Sequence, residues 1–263
     1  MKNTFKKVVI LGAGWLGKEL MSILHENGVF TQATIRSEQE AQKQKLQFYY
    51  VNENLELKHN IDLQDAYWVS CITPKSNYVA SLEHALKLAN KLKMKGFLLC
   101  SSTGIYPSEM KVFDEKSIIS HVTNKQKLLE QAEQLVLRLG DKGKVVRLAG
   151  LMGRNRHPGQ FVAGKRLNAS ALASVNMLHQ KDAIYGIIYL LNHWQHADNI
   201  YNLTAPDHPS KQKFYSQACQ LLNNMEPSFS HYEVENRIID GNKITQLGYR
   251  YYYPSLATAL LNC

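Results

Sequence analysis

The chain has 263 residues, 44% of them hydrophobic and 20% charged, with a net charge of +9. That balance predicts a globular core and excludes a disordered or fibrous chain. Basic residues fall in scattered groups such as Lys91/Lys93/Lys95, the pattern of solvated faces, so nucleic acid is not expected as a partner. In chain order, residues 7–11 form a short apolar, β-branched run that suits a strand buried on both faces. The run is too short for a secretion signal, and no stretch is long enough to cross a bilayer. Leu16, Leu20, Ile23 and Leu24 follow at helical spacing, and Gly28 ends that helix. Residues 29–35, 66–72, 96–101 and 144–148 read as further strands. Val79, Leu82, Leu86 and Ala89 mark one intervening helix; Leu128, Leu129, Ala132, Leu135 and Leu139 mark another.

This alternation predicts βαβ units with right-handed crossovers. The fold class is α/β: a doubly wound parallel (Rossmann) sheet with a small interwoven C-terminal lobe. Residues 176–179, a helix over 182–191 and a strand over 201–203 are expected to return to the same sheet. Past Gly150 the pattern loosens, with no periodicity over 154–165, a loop at 206–209, a helix over 211–222 and a last short helix over 254–261. The predicted organisation is a dinucleotide-binding domain over 1–150, rejoined by 176–204, and a substrate lobe from 151–175 and 205–263. Cys71, Cys100, Cys219 and Cys263 form no CxxC pair and read as free thiols of a reducing compartment, which places the protein in the cytoplasm.

The run Gly12-Ala13-Gly14-Trp15-Leu16-Gly17 fits G-x-G-x-x-G between a strand and an amphipathic helix. Gly12 permits the tight turn, Gly14 lets backbone approach a phosphate, and Gly17 packs the helix against the strand. The helix N-terminus then presents N–H groups and the positive end of its dipole to a pyrophosphate. An NAD site usually carries Asp or Glu at the end of the second strand. Here Arg36 and Ser37 stand there, able to pair with and donate to a 2′-phosphate. The predicted cofactor is NADP(H), with NAD(H) as the alternative.

Cys100-Ser101-Ser102-Thr103-Gly104-Ile105-Tyr106-Pro107 follows a buried strand. With the glycine turn it resembles the extended short-chain dehydrogenase/reductases, the NAD-dependent epimerase/dehydratase superfamily. Arg147–Gly153, Asn176–Asp182, Tyr201-Asn202-Leu203 and Leu247-Gly248-Tyr249 resemble later family segments in order, and the chain looks closest to an atypical, YeeZ-like branch. The resemblance implies cofactor contacts at Cys71, Ile72, Thr73 and Ser101 as well as the glycine turn. It also implies a small polar substrate such as a nucleotide sugar, and a monomer or homodimer. Ser102 falls at the family's catalytic Ser/Thr position.

The chain departs from the family where its Tyr-x-x-x-Lys should stand. Lys125 falls at the Tyr position and Leu129 at the Lys position, and no tyrosine lies nearby. One account, which the resemblance implies, is an oxidoreductase or an isomerase/lyase of the epimerase/dehydratase type with a substitute acid/base drawn from Ser102, Tyr106, Lys125 or His121. A second is a non-catalytic NADP(H) sensor. A third, a nucleic-acid-associated regulator, has charge in its favour but no recognition motif. Arg154 and Arg156 are candidates to hold an anionic substrate group. His193 and His196 lie three apart with no cluster to complete a metal site.

Overall fold

The computed structural model describes residues 3–75, 77–120, 122–233 and 237–263. His121 lies outside them. The first stretch runs β1 (Lys7–Leu11), α1 (Trp15–Glu26), β2 (Phe30–Ile35), α2 (Glu38–Gln44), β3 (Gln47–Val51), β4 (Leu57–His59), β5 (Tyr67–Ser70), α3 (Tyr78–Lys91) and β6 (Gly96–Ser102). A 3-10 turn at Thr103–Ile105 leads to β7 (Val112–Phe113), α4 (Asn124–Leu137) and β8 (Gly143–Leu148). Next come β9 (Gly150–Met152), α5 (Pro158–Val162), β10 (Arg166–Ser170), β11 (Met177–His179), α6 (Gln180–Asn192) and β12 (Ile200–Leu203). The chain closes with α7 (Lys211–Gln220), β13 (Ser228–His231), β14 (Ile238–Ile239), α8 (Asn242–Gln246) and α9 (Leu256–Leu260).

Eight strands form one sheet in the order β12-β8-β6-β5-β1-β2-β3-β4. β1 pairs parallel with both β2 and β5, β5 with β6, and β2 with β3. Between β8 and its extension and β12, the Val145 N–H donates to Asn199 O and the Ala149 N–H to Leu203 O. Equal steps of four along both segments make that pair parallel too. β4 runs antiparallel to β3 at the edge. The strand order reverses beside β1, and open α/β sheets bind ligands at such a switch point.

The chain divides into two compact units, and the division falls inside β8 and β12. The first comprises Met1–Ile105, His121–Val146 and Ile187–Ile200. Its core is built by strand alternation: Val9 and Leu11 of β1 join Trp68, Phe97, Leu82 of α3 and Val136 of α4 in one cluster. Val8 and Ile10, also fully buried, point to the opposite face. The second unit comprises Tyr106–Ser120, Arg147–Gly186 and Tyr201–Cys263. Its core gathers Met152, Val175, Phe214, Ala218, Leu256 and Leu260.

The doubly wound sheet matches the expected fold class, with one difference inside the predicted return. β12 joins the main sheet, but β11 pairs parallel with β9 in a separate two-stranded sheet. Gly150 is the physical reason: a Cβ there would sit 2.5 Å from Met177 Sδ, so its absence admits β11 alongside β9. The Ala205 N–H then donates to Met177 O on the other edge of β11. Among the described residues, no helix is long and apolar enough to cross a membrane.

Candidate functional site

The three glycines of the first turn have three different physical requirements. Gly12 takes φ +91, a left-handed conformation that disfavours a side chain. A Cβ on Gly17 would lie 2.2 Å from Gly12 O and 3.3 Å from Ile10 Cγ2, so a glycine is needed to seat α1 on β1. Gly14 is constrained by neither: its φ is −82, and a Cβ there would meet nothing within 4 Å. Among the described residues, crowding does not account for the missing side chain at that position. Gly14 also caps α1 with no side-chain hydrogen bond, and the helix carries no carboxylate in its first turn. The positive end of the α1 dipole is therefore left without a negative group from the helix itself.

Thr34 of β2 holds this turn in place. Its Oγ1 accepts from the Gly12 N–H at 3.1 Å and its carbonyl accepts from the Ala13 N–H at 2.6 Å. Beside it opens a cleft of about 510 Å³, lined by Gly12, Gly14, Arg36, Cys71, Ile72 and Thr73, among others. These are six of the positions expected from sequence to touch a cofactor. Lys75 and Tyr50 line the same cleft and were not expected there. Tyr50 arrives on β3, whose Phe48-Tyr49-Tyr50-Val51 run of aromatic and β-branched residues marks a strand but not which cleft it lines. Arg36 is exposed at the end of β2. Ser37 caps α2, its Oγ accepting from the Glu40 N–H at 3.2 Å, and still has a proton to donate. Trp15 and Leu16 lie in the first turn of α1 beyond Gly14.

The end of β6 carries the second group of predicted residues. Ser101 is buried and donates to Glu133 Oε1 of α4 at 2.5 Å. It ties strand to helix rather than lining the cleft. Ser102 Oγ accepts from the Gly104 N–H at 3.0 Å, which leaves its own proton free to donate. A Cβ built on Gly104 would lie 3.2 Å from Ser102 Oγ and 3.8 Å from Lys125 Nζ. Ser102 and Lys125 therefore flank one small space, and Gly104 keeps it open. Lys125 is exposed in the first turn of α4. The α4 terminus is fixed by a capping box: Thr123 Oγ1 accepts from the Gln126 N–H at 3.2 Å, and Gln126 Oε1 accepts from the Thr123 N–H at 2.9 Å. Leu129, at the family's lysine position, is buried.

Tyr106 belongs to the second unit. Its ring is buried, and its hydroxyl meets Asn202 Oδ1 at 2.8 Å, Asp114 O at 2.9 Å and the Arg147 guanidinium at 2.7 Å. Asn202 in turn donates to Asp240 O and takes Glu115 Oε1 on its backbone N–H. Burial pushes both the Tyr106 phenol and the Glu115 carboxyl up. Arg147, Asn202 and Glu115 meet around Tyr106 from separate stretches of the chain, so no local sequence signal reveals the network. Arg154 and Arg156 are exposed in a tight turn closed by the Arg156 N–H on Gly153 O, with Asn155 at φ +61. His193 stacks on Tyr189 at 4.0 Å just past the end of α6.

No family model matches the sequence. Protein YeeZ of Escherichia coli K12 is 32% identical over 267 residues, which covers 95% of this chain and 97% of YeeZ. Solved structures share the fold at lower identity. A conserved protein of unknown function from Silicibacter pomeroyi gives a TM-score of 0.79 at 17% identity, over 97% of both chains. The human epimerase family protein SDR39U1, solved with NADPH, gives 0.72 at 16%, again over 97% of both. The dTDP-glucose 4,6-dehydratase of Bacillus anthracis, solved with NAD, gives 0.72 at 12%, over 98% of this chain and 95% of that one.

Proposed function

We propose, from the premise that this chain belongs to the YeeZ-like branch of the extended short-chain dehydrogenase/reductases, that it binds a nicotinamide dinucleotide in the cleft beside Gly14. The observation that carries this is the glycine at 14, which neither its φ nor crowding by the described residues requires. A ligand phosphate approaching the backbone at the α1 terminus supplies the missing requirement. Cys71, Ile72 and Thr73 wall the cleft, and Arg36 and Lys75 give it positive charge. Arg36 at the end of β2, where an NAD site carries a carboxylate, favours NADP(H) over NAD(H). SDR39U1, of the same fold, was solved with NADPH. The dinucleotide, when bound, would supply hydride transfer at its nicotinamide.

The substrate on this reading is a small polar metabolite such as a nucleotide sugar. Ser102 donates its free proton to a substrate oxygen, and Lys125 lends positive charge across the space kept open by Gly104. Tyr106, with its hydroxyl already held by Arg147, Asn202 and Asp114, anchors the second unit. A sensor without turnover is the second reading. The buried Leu129 at the family's lysine position favours it, since that side chain has no cation to hold a ribose.

Titration of the protein with NADPH and NADH tests the first claim. Tighter binding of NADPH, lost in Arg36→Ala, is expected; equal affinities of the wild type for the two would refute the NADP(H) preference. Nicotinamide absorbance together with product analysis across a panel of nucleotide sugars and small carbonyl compounds separates enzyme from sensor: net redox changes the absorbance, epimerisation or dehydration changes the substrate while the dinucleotide is regenerated, and a sensor does neither.

A further inference from the structure

The four cysteines show no paired spacing in sequence, yet the sheet brings two of them together. Ser70 of β5 stands in register with Leu99 of β6, so the next pair in parallel register is Cys71 and Cys100. Side chains at matched positions of neighbouring parallel strands leave the same face of the sheet. Here the two sulfurs lie 3.8 Å apart. Both residues are half-buried and both are free thiols. Cys71 also lines the dinucleotide cleft, and its carbonyl group sits where a Cβ on Gly12 would touch it at 3.3 Å. Cys219 and Cys263 are different: their sulfurs contact the carbonyl oxygens of Gly159 and Ala259.

We propose that Cys71 and Cys100 form a reversible disulfide with a hydroperoxide as oxidant, and that this bond weakens dinucleotide binding by drawing the cleft wall at Cys71 away from Gly12. The second half of the proposal rests on the cofactor reading above; the first half does not. The Cys71 thiolate attacks the terminal peroxide oxygen, the O–O bond breaks, and the departing oxygen takes up a proton and leaves as an alcohol, or as water from hydrogen peroxide, giving a sulfenic acid on Cys71. The Cys100 sulfur then attacks that sulfur as its proton moves to the departing oxygen, so an S–S bond forms, the S–O bond breaks and water leaves. Two thiols lose two electrons to one hydroperoxide, which is reduced to two waters when it is hydrogen peroxide. The order follows from environment. The hydrogen bond with Cys71, and then burial, hold the Cys100 thiol well above its usual value, while Cys71 faces the cleft. Bond formation draws the sulfurs from 3.8 Å to about 2.05 Å. Cys71 then moves towards β6, which displaces the wall of the phosphate turn at Gly12.

The test treats the full chain with hydrogen peroxide, alkylates the remaining thiols and maps tryptic peptides, alongside NADPH titration before and after. The expected result is a linked pair of peptides containing Cys71 and Cys100, NADPH binding weakened by about tenfold or more, and recovery of both with dithiothreitol. Cys100→Ser should keep its NADPH affinity through the same peroxide treatment. Alkylation of both Cys71 and Cys100 after peroxide, or a link that involves Cys219 or Cys263, would overturn the proposal. A Cys71–Cys100 link that leaves NADPH affinity unchanged would overturn the effect on the cleft. Failure of the reduced protein to bind NADPH, with the link still forming, would sink the cofactor reading and leave the disulfide standing.

Discussion

Substituting Gly14 and Gly17 separately distinguishes a glycine kept for a ligand from one kept for the fold. In Gly17→Ala the new methyl would lie 2.2 Å from Gly12 O and 3.1 Å from Gly12 C, both backbone atoms that cannot rotate away. Forcing such a contact apart costs about 1–3 kcal/mol or more. For a chain of this size each kcal/mol lowers the melting temperature by about 2–4 °C. In Gly14→Ala the methyl meets nothing within 4 Å, and φ −82 is open to alanine. Alanine restricts the unfolded chain, which stabilises by about 0.4–1 kcal/mol. Alanine is also a poorer helix cap than glycine, which offsets this. Stability should therefore stay within about 1 kcal/mol of the wild type. NADPH affinity should nevertheless fall by tenfold or more, about 1.4 kcal/mol, because the methyl occupies the approach to the turn. Thermal unfolding and NADPH titration on both variants give the comparison. Unchanged NADPH affinity in Gly14→Ala, with the fold intact, would refute the reasoning.

Tyr106→Phe removes a buried hydroxyl that meets Arg147 and Asn202, and should lower stability by about 1–3 kcal/mol while leaving NADPH affinity as it was; loss of NADPH binding in a folded variant would contradict the anchoring role. If a turnover assay succeeds, Ser102→Ala should cut the rate by about 100-fold with little change in melting temperature, and an undiminished rate would remove Ser102 from the chemistry. Burial holds His179 and His157 below the ordinary histidine value, so the unfolded chain takes up those protons first. The stability they contribute is present above that ordinary value and is lost as pH falls through their lowered folded values. Melting temperature should drop between about pH 7 and about pH 5, and less so in His179→Gln, which an identical pH profile would disprove. Asp182, pushed up by burial, works in the opposite sense, its contribution present in acid and lost as pH rises, so it must be kept intact in that comparison.

Much of the fold was legible because its strands and helices carry strong periodic signals. β1, β5, β6 and β8 are short apolar runs, and α3 and α4 repeat leucine at helical spacing. α2 escaped because Ala41 is its sole buried residue, so no apolar stripe marks it. β11 misled because three residues of strand pattern do not say which edge they meet; the glycine at 150 decides that. At the site, the glycine turn and Arg36 could be read because local backbone chemistry dictates them. Lys75, Tyr50 and the meeting of Ser102 with Lys125 around Gly104 could not, since they depend on which strand ends share a cleft. The pairing of Cys71 with Cys100 is set by sheet register across 29 residues of chain.

The most direct test of the account is calorimetric titration of the wild-type chain with NADPH. Saturable binding at one site per chain, weakened by Gly14→Ala and by Arg36→Ala, is the predicted result. Absence of any heat or thermal stabilisation with either NADPH or NADH at millimolar concentration would contradict it.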